Sequence, residues 1–240
     1  MIEVEHLTKR FGDRLAVDDL SFKVEPGEVL GFLGPNGAGK STTMKMITGF
    51  LSPSAGTARI LGHDVLADPV GAKAQFGYLP EGAPGYGDMR VQDFLAFMAD
   101  IRGLTGANRE ARLAAVIADV HLDDVLGQSI DTLSKGFRRR VGLAQAILHD
   151  PKVLILDEPT DGLDPNQKFE VRKLIENMGQ DRIIIVSTHI LEEVEAVCTR
   201  AMIISRGKLL ADDTPANLAA QSDSGRLDDT FRNITAGGLS

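Results

Sequence analysis

The residues with the clearest chemistry form a glycine-rich loop, residues 34–41, with the sequence GPNGAGKS. Its spacing matches the phosphate-loop pattern, in which glycines let backbone N–H groups turn inward on a polyanion. Lys40 would then reach the β- and γ-phosphates, and the hydroxyl of Ser41 would bind Mg²⁺. An apolar run at 29–33 precedes the loop and a helical pattern at 40–49 follows it, as such a site requires. The loop therefore predicts a nucleotide-binding site.

Two carboxylates, Asp157 and Glu158, directly follow the apolar run at 153–156. Neighbouring side chains on a strand point to opposite sides of the sheet, so we expect the two carboxylates to have different roles. Asp157 can hold Mg²⁺ through water, and Glu158 can orient or deprotonate an attacking water. A solvated strand end before a turn is the alternative, but the phosphate loop favours the catalytic interpretation.

His189 follows a third apolar strand pattern, at 183–187. Its position makes a contact with the γ-phosphate feasible, because ligands of open α/β sheets bind beyond the carboxyl ends of the strands. A lone histidine at a strand end is more often structural. The spacing alone leaves both interpretations open.

The elements that must position these residues follow from the hydrophobic pattern. Short apolar runs predict buried strands, and alternating runs predict half-exposed strands. The predicted buried strands are 29–33, 153–156, 183–187 and 202–204, and the half-exposed strands are 2–7, 20–24 and 57–61. Helical patterns separate many of these strands, which indicates βαβ units and a mostly parallel sheet. We therefore expect an α/β fold.

Residues 81–149 differ from the rest because they contain almost no strand pattern. Helices are predicted at 91–103, 109–120 and 135–149, and the first places Val91, Phe94, Leu95 and Met98 on one face. This pattern suggests an α-helical insertion between two halves of an α/β core. The turn-rich run at 80–87 would be the hinge into it.

The end of the chain predicts a short closing helix. Leu227, Phe231 and Ile234 would form one apolar stripe of that helix. The last five residues, 236–240, are expected to be frayed.

The composition limits the class of protein. The 240 residues include 26 Lys and Arg against 34 Asp and Glu, and the net charge of −8 argues against a general duplex-binding protein. The single cysteine, Cys198, excludes an intramolecular disulfide and is expected to be a buried, reduced thiol. The first residues do not predict a signal peptide, and the longest apolar runs have six residues. A membrane span needs ~20.

Residues 133–145, with the sequence LSKGFRRRVGLAQ, carry a further pattern. Ser134 is placed to cap a helix that starts at Lys135, and capping alone would explain a serine there. The basic run at 138–140 could likewise be a solvated face. In a chain with a phosphate loop, however, this segment resembles the signature motif of ATP-binding cassette (ABC) proteins. The resemblance covers essentially the whole chain, from Phe11 to the tail at 227–235.

The resemblance implies roles for residues within one subunit. Phe11 would stack on adenine, Asp157 would be the Walker B aspartate, and Glu158 would be the catalytic glutamate with His189 as the switch histidine. The ATP-binding Walker A residues would be Gly34, Pro35, Asn36, Gly37, Ala38, Gly39, Lys40, Ser41 and Thr42.

The same resemblance implies a second subunit. Ser134 and Gly136 would contact the γ-phosphate of an ATP held by the other subunit, and Asp164 would lie in the D-loop. One chain cannot place its own signature helix over its own phosphate loop. The resemblance therefore implies a head-to-tail dimer with two ATP molecules at the interface.

Three residues depart from the family pattern. Lys135 stands where the signature usually has its first glycine, Phe137 where it has glutamine, and Glu81 where the Q-loop glutamine is usual. Glu81 could bind Mg²⁺ together with Ser41 and Asp157, because carboxylates suit that ion. It also adds negative charge beside a polyphosphate, which bears on turnover more than on binding. These departures are similar to those of cassette subunits from multi-subunit drug-efflux and gliding-motility exporters.

The implied function is that of the ATP-binding and ATP-hydrolysing subunit of an ABC exporter, with ATP and Mg²⁺ as cofactors. ATP would close two copies of the chain into a sandwich, and hydrolysis would release them. Integral membrane permease subunits would dock on the cleft near 81–93, so the chain would lie at the cytoplasmic face of the plasma membrane.

Other functions explain less of the sequence. A soluble cassette that remodels a nucleic-acid or ribosomal complex is the main alternative, but the chain has one cassette and no sustained heptad pattern, so no nucleic-acid partner is expected. A phosphate-loop kinase would not explain 133–145. A regulatory ATP binder without hydrolysis stays open because of Glu81.

The resemblance also predicts the domain organisation. The expected fold is a RecA-like phosphate-loop core with a mostly parallel sheet, an antiparallel β edge subdomain and an inserted α-helical subdomain. Residues 1–240 would form a single ABC ATPase domain. The core with its β edge subdomain would take 1–82 and 150–215, the α-helical subdomain 83–149, and a C-terminal tail 216–240.

Overall fold

A computed structural model describes residues 1–82 and 86–237. The predicted hinge at 80–87 therefore lies outside the described residues at 83–85. Of the predicted frayed end, 236–240, residues 238–240 lie outside them; the prediction is wrong for 236–237, which belong to the last helix. The strands are β1 (Ile2–Phe11), β2 (Arg14–Val24), β3 (Val29–Leu33), β4 (Ala55–Ile60), β5 (His63–Asp64), β6 (Phe76–Leu79), β7 (Val153–Asp157), β8 (Ile183–Thr188), β9 (Arg200–Ser205) and β10 (Lys208–Asp213). The helices are α1 (Lys40–Ile47), α2 (Pro69–Gln75), α3 (Val91–Ile101), α4 (Gly106–Asp119), α5 (Lys135–Ile147), α6 (Pro165–Gly179), α7 (Leu191–Val197), α8 (Pro215–Ala219) and α9 (Leu227–Gly237).

The central sheet has the strand order β10-β9-β3-β8-β7-β6 within the described residues. All neighbouring strands in it are parallel except β10, which pairs with β9 in the antiparallel sense. Every residue of β3, β7 and β8 is buried, as expected for apolar strands covered on both faces. This arrangement places the carboxyl ends of β3, β8, β7 and β6 side by side at one edge of the sheet.

The second sheet is antiparallel, with the order β2-β1-β4-β5. Its inward side chains, among them Ile2, Leu7 and Leu20, share one hydrophobic core with Phe32 of the central sheet and Met44 of α1. The long β1–β2 hairpin is therefore fixed against the element that follows the phosphate loop.

The helical region contains α3, α4 and α5. A separate core forms where Phe94 and Leu95 of α3 and Val116 of α4 pack with Val141 of α5, and it continues to Leu156 in the central sheet. The described part of this region contains no strand, only an isolated β-bridge between Arg90 and Ser129, in agreement with the sequence pattern.

A third core closes the carboxyl-terminal end. Leu227 of α9 is buried with Leu218 of α8 and Leu33 of β3, and Phe231 and Ile234 pack against this cluster. The predicted closing helix is therefore present. Among the described helices, none has the length and apolar content that crossing a bilayer would require.

The sequence patterns did not predict several elements, notably β6 and β10 and helices α2, α6, α7 and α8. The four-residue strand β6 contains Gly77 and lies at the edge of its sheet, so neither its length nor its composition stands out. In β10, exposed residues alternate with partly buried ones and none is fully buried. The two strands form by pairing with their neighbours, β6 with β7 and β10 with β9.

Cys198, the C-cap residue of α7, is partly buried as a whole residue. The prediction concerned its thiol, which is buried. Its sulfur packs against Gly31, and burial raises the pKa of the thiol to about 12. The thiol is therefore protonated at neutral pH.

Gly77 gives a test of the contact between β6 and α5. A Cβ at Gly77 would collide with the carbonyl oxygen of Ala146 in α5. We expect Gly77→Ala to lower the free energy of unfolding by about 2 kcal/mol, because backbone must move to relieve the overlap. Urea denaturation would measure this loss. Gly127→Ala is the control, since a Cβ there meets nothing within 4 Å; equal stability of the two variants would contradict the close packing.

Candidate active site

The candidate active site is a cleft of about 320 Å³ at the edge where the four parallel strands end. The phosphate loop follows β3, His189 follows β8, Glu158 follows β7, and Glu81 lies just beyond β6. The described residues that line the cleft are Arg14, Ala16, Asn36, Gly37, Gly39, Lys40, Ser41, Thr42, Glu81 and Glu158.

The phosphate loop depends on glycine at two positions. Gly39 has φ = 108°, a left-handed conformation that favours glycine, and a Cβ there would lie 2.6 Å from the carbonyl oxygen of Ala16. A Cβ at Gly34 would lie 2.5 Å from the carbonyl oxygen of Ile204. The loop can therefore pack against β2 and β9 only with glycine at these places, and α1 begins directly after it.

Lys40 lies at the centre of the loop. Its Nζ donates hydrogen bonds to the carbonyl oxygens of Gly34, at 2.7 Å, and Pro35, at 3.4 Å. Burial lowers the pKa of Lys40, while the carboxylates of Glu158, Asp157 and Glu81 oppose that shift. A bound polyanion would add to the charges that keep this ammonium protonated.

Asp157 lies beneath the cleft and is fully buried. Burial raises the pKa of its carboxyl group, and the hydroxyls of Ser187 and Ser41 partly oppose this rise. Neither carboxylate oxygen has a hydrogen-bond partner of good geometry among the described residues. Buried polar groups normally have partners, so this carboxylate is arranged to receive one.

The oxygen atoms around Asp157 match the ligands that Mg²⁺ prefers. The Ser41 hydroxyl donates to Oε2 of Glu81 at 3.5 Å, and both residues line the cleft. Within 1–82 and 86–237, no group of three or more His, Cys, Asp or Glu is arranged to hold a metal ion. Mg²⁺ commonly takes one or two protein ligands and completes its shell with water and phosphate, so these residues fit that ion.

Glu158 and His189 form a hydrogen-bonded pair at the mouth of the cleft. The Nδ1 atom of His189 lies 2.9 Å from Oε1 of Glu158, and the His189 side chain is the more exposed of the two. The backbone of Glu158 is left-handed, with φ = 53°, and its N–H donates to the carbonyl oxygen of Ser187. Such a conformation is uncommon outside glycine and is found at functional sites.

Arg139 ties the signature helix to this edge of the sheet. Its buried guanidinium donates to the carbonyl oxygens of Pro80, Glu81, Asp157 and Glu158. Burial lowers the pKa of Arg139, and the carboxylate of Asp157 is the strongest opposing charge. One side chain therefore fixes the ends of both β6 and β7.

The basic run 138–140 is not a solvated face, because Arg139 and Arg140 are both buried. Arg140 donates to the carbonyl oxygens of Val120 and His121 and stacks on the ring of Phe137, 4.1 Å from its centroid. This cluster therefore does not form a basic surface of the kind that binds nucleic acid.

The beginning of the signature helix lies outside the cleft. Ser134 caps α5 by accepting a hydrogen bond from the N–H of Phe137 at 3.3 Å, and neither Ser134 nor Gly136 lines the cleft. Lys135 forms an ion pair of 2.8 Å with Asp161, and this contact lowers the pKa of Asp161. Lys135, which departs from the family pattern, therefore links the beginning of α5 to the turn after β7.

Two further predicted residues, Phe11 and Asp164, do not line the cleft. Phe11 is about half exposed at the end of β1 and pairs with Arg14 across the hairpin, and Lys9 lies over its ring. Asp164 caps α6 by accepting from the N–H of Gln167. The adenine contact of Phe11 stays a prediction.

The sequence patterns did not indicate Arg14 and Ala16, which line the cleft. They also did not indicate Arg139, whose guanidinium donates a hydrogen bond to the carbonyl oxygen of Asp157. Arg14 and Ala16 lie on β2, outside every motif, and only the hairpin brings them to the loop. The run 138–140 was a visible signal, but its spacing does not show which arginine points inward.

The fold and these residues define an ABC ATPase. The family model for the ABC transporter matches residues 17–161, so the chain belongs to this family and contains its ATP-binding and ATP-hydrolysing domain. Similar solved structures include one described as the ATP-binding subunit of an ABC transporter, with a TM-score of 0.89 and 30% identity over 98% of this chain and 99% of that one. The predicted family and fold class are confirmed.

Curated relatives indicate which kinds of ABC protein this chain is similar to. A probable multidrug ABC transporter ATP-binding protein of Escherichia coli is 39% identical over 92% of this chain. A Nod factor export ATP-binding protein I of Paraburkholderia xenovorans is 36% identical over 91% of it. The chain spans 38% of the length of the first relative and 72% of the second.

Arg139 can be tested separately from nucleotide chemistry. We expect Arg139→Ala to lower the free energy of unfolding by about 3 kcal/mol, because it leaves four carbonyl oxygens without their buried donor. Arg138→Ala removes the same charge from a partly exposed neighbour and should change stability by less than ~0.5 kcal/mol. Chemical denaturation of both variants measures the difference. Two equally stable variants would contradict the bonding assigned to Arg139.

Proposed function

We propose that the chain is the ATP-hydrolysing subunit of an ABC exporter, and that it works as a dimer together with separate permease subunits. The observation that carries this proposal is the cleft that Lys40 and Glu158 both line, with His189 hydrogen-bonded to Glu158. The relatives named for a multidrug ABC transporter and for Nod factor export support the export direction.

The residues of one cleft would hold the substrate and prepare water for attack. The loop N–H groups and Lys40 would bind the phosphates of ATP, and the positive end of α1 would add to this attraction. Glu158 would accept a proton from the attacking water, and His189 would hold the glutamate in place and contact the γ-phosphate. Phe11 would stack on the adenine ring beside this site.

Magnesium would be the cofactor of the reaction. Ser41 and Asp157, with Glu81 near them, would supply its protein oxygens. When bound, the ion neutralises the negative charge of the phosphates. The acidic residue at Glu81 replaces a neutral one at a position close to that charge.

The dimer follows from the position of the signature residues. Neither Ser134 nor Gly136 lines the cleft of its own chain, which supports a contact with the phosphates held by another subunit. A head-to-tail pair of this chain would place each signature over the partner's loop, with Asp164 near the interface. ATP would then act as part of the contact between subunits.

The dimer and the proposed role of Glu158 have a common test. We expect Glu158→Gln to lower kcat by about 100-fold or more, because the amide cannot accept the proton from water. With ATP and Mg²⁺ this variant should accumulate as a dimer in light scattering. Lys40→Ala in the same background is the control and should stay monomeric, because it does not hold the phosphates. A variant that binds ATP yet stays monomeric would refute the sandwich.

A second surface is suited to the permease. A groove of about 860 Å³ lies between α1, α2 and β6 on one side and α3 and α5 on the other. Phe50, Val70 and Ile101 line it and are 67%, 80% and 59% exposed. Exposed apolar side chains in one groove commonly mark a protein contact.

The charges of the groove indicate the chemistry of its partner. Lys45, Lys73 and Arg102 line it, and no Asp or Glu is among its described lining residues. Burial, together with the charge of Arg102, lowers the pKa of His149 to about 4, so this lining histidine is neutral. Pro80 lines the groove, but none of the described residues of the predicted docking segment, 81–82 and 86–93, does. The partner segment should therefore be apolar with acidic residues.

The groove can be tested by recovery of the membrane partner. We expect Phe50→Asp to abolish co-purification of a polytopic membrane protein from gently solubilised native membranes, because it places a carboxylate in the apolar contact. Phe169→Asp is the matched control, since Phe169 is 63% exposed on α6, away from the groove. Mass spectrometry of both purifications gives the result. If both variants retain the membrane protein, the partner docks elsewhere; recovery of ribosomes instead would favour a remodelling function.

We also infer the place and the organisation of the chain. Because its substrate is a cytoplasmic nucleotide and its partner a permease, it would lie at the cytoplasmic face of the plasma membrane. It would be a single domain, with the core at 1–82 and 150–215, the helical subdomain at 83–149 and the tail at 216–240.

A further inference from the structure

Glu193 is a buried carboxylate behind the cleft, on helix α7, with only 2% of the residue exposed. Its two oxygens accept hydrogen bonds from two threonine hydroxyls. Oε1 accepts from Thr160, in the turn after β7, and Oε2 accepts from Thr188, the last residue of β8, at 3.0 Å. Both threonines are buried as well. Glu193 therefore connects the segments that follow β7 and β8.

The hydroxyl of Thr188 lies within hydrogen-bond distance of two carboxylates, those of Glu193 and Glu158. Its Oγ1 lies 3.0 Å from Glu193 and 3.4 Å from Oε2 of Glu158, and it accepts a hydrogen bond from the N–H of Ile190 at 3.1 Å. A hydroxyl has a single proton to donate. The shorter contact takes that proton, so Thr188 donates to Glu193.

We infer that Glu193 is a positioning residue for hydrolysis, which takes the Thr188 proton and so keeps the Oε2 atom of Glu158 free for water. This inference rests on the proposed role of Glu158. A hydroxyl that donated to Glu158 would compete with the attacking water for the same carboxylate, and hydrogen bonds to charged groups are strong. Among the described side chains, His189 alone would then be bonded to Glu158, through the Oε1 atom.

Replacing Glu193 with glutamine would direct the Thr188 proton to Glu158 instead of residue 193, with almost no change in the shape of the side chain. The hydroxyl of Thr160 has Glu193 as its acceptor, so the amide oxygen would stay on Thr160 and the amide NH₂ would face Thr188. Thr188 would accept from this NH₂ and from Ile190, and its proton would turn to Glu158. Every buried group keeps a partner, so the change affects the active site more than stability.

The experiment compares Glu193→Gln in two backgrounds. In the otherwise unchanged chain we expect kcat of ATP hydrolysis to fall about tenfold, with KM and the Kd of ATP within about twofold. In a Thr188→Val background, which has no hydroxyl to turn, Glu193→Gln should change kcat by less than about twofold. Thr188→Ala serves as a second hydroxyl-free background if the valine variant does not fold. Glu195→Gln, the same change at an exposed position of α7, is the control and should not alter kcat.

Two results would overturn the inference. A kcat near that of the parent chain in Glu193→Gln would show that Thr188 does not turn. An equal loss of kcat in both backgrounds would mean that Glu193 has a purely structural role. Glu158→Gln separates these results from a failure of the proposed function. If that variant still hydrolyses ATP, the role of Glu158 is wrong; if it is inactive while Glu193→Gln is normal, only the present inference fails.

Discussion

The parallel pairing of β3, β8, β7 and β6 is the constraint on which the rest of the structure depends. Because parallel strands share a direction, their carboxyl ends meet at one edge, and every residue that follows a strand there becomes a neighbour of the others. The phosphate loop, His189, the pair Asp157 and Glu158, and Glu81 all lie at this edge, although they are far apart in the sequence. The continuous apolar strands supply the rigid support that such a site needs.

Three charged side chains, those of Asp157, Lys40 and Arg139, are buried near the carboxyl ends of these strands. Asp157 and Lys40 are both buried there, and the buried guanidinium of Arg139 donates a hydrogen bond to the carbonyl oxygen of Asp157 at the end of β7. Unpaired buried charges are costly, and the carboxylate of Asp157 lowers the cost of burying the two cations, Lys40 and Arg139. The same arrangement leaves oxygen atoms of Asp157 without a partner, and these are the atoms to which an added cation would bind. The signature helix thus supports its own cleft through Arg139, while Ser134 and Lys135 at its beginning are exposed.

Two features of the chain match the proposed contacts with other subunits. Neither Ser134 nor Gly136, at the beginning of α5, lines the cleft of its own chain. The apolar groove beside α3 is not covered by any of the described residues. Phe50 and Ile101 would be costly to leave in water if nothing docked on them. The proposed dimer and the proposed permease account for one feature each. Membership of the ABC transporter family agrees with both, since the curated relatives are named as ATP-binding proteins of transporters.

The sequence by itself determined the family, the α/β class, the buried strands and the identity of the loop and strand-end residues, because glycine spacing and apolar runs are local properties of the chain. It did not determine β6, the inward direction of Arg139, the cleft positions of Arg14 and Ala16, or the connection of Glu193 to Thr160 and Thr188. The physical reason is that these features are contacts between segments distant in sequence. An arginine in a helix has the same local pattern whether its guanidinium meets water or four carbonyl oxygens, and only tertiary packing selects between them.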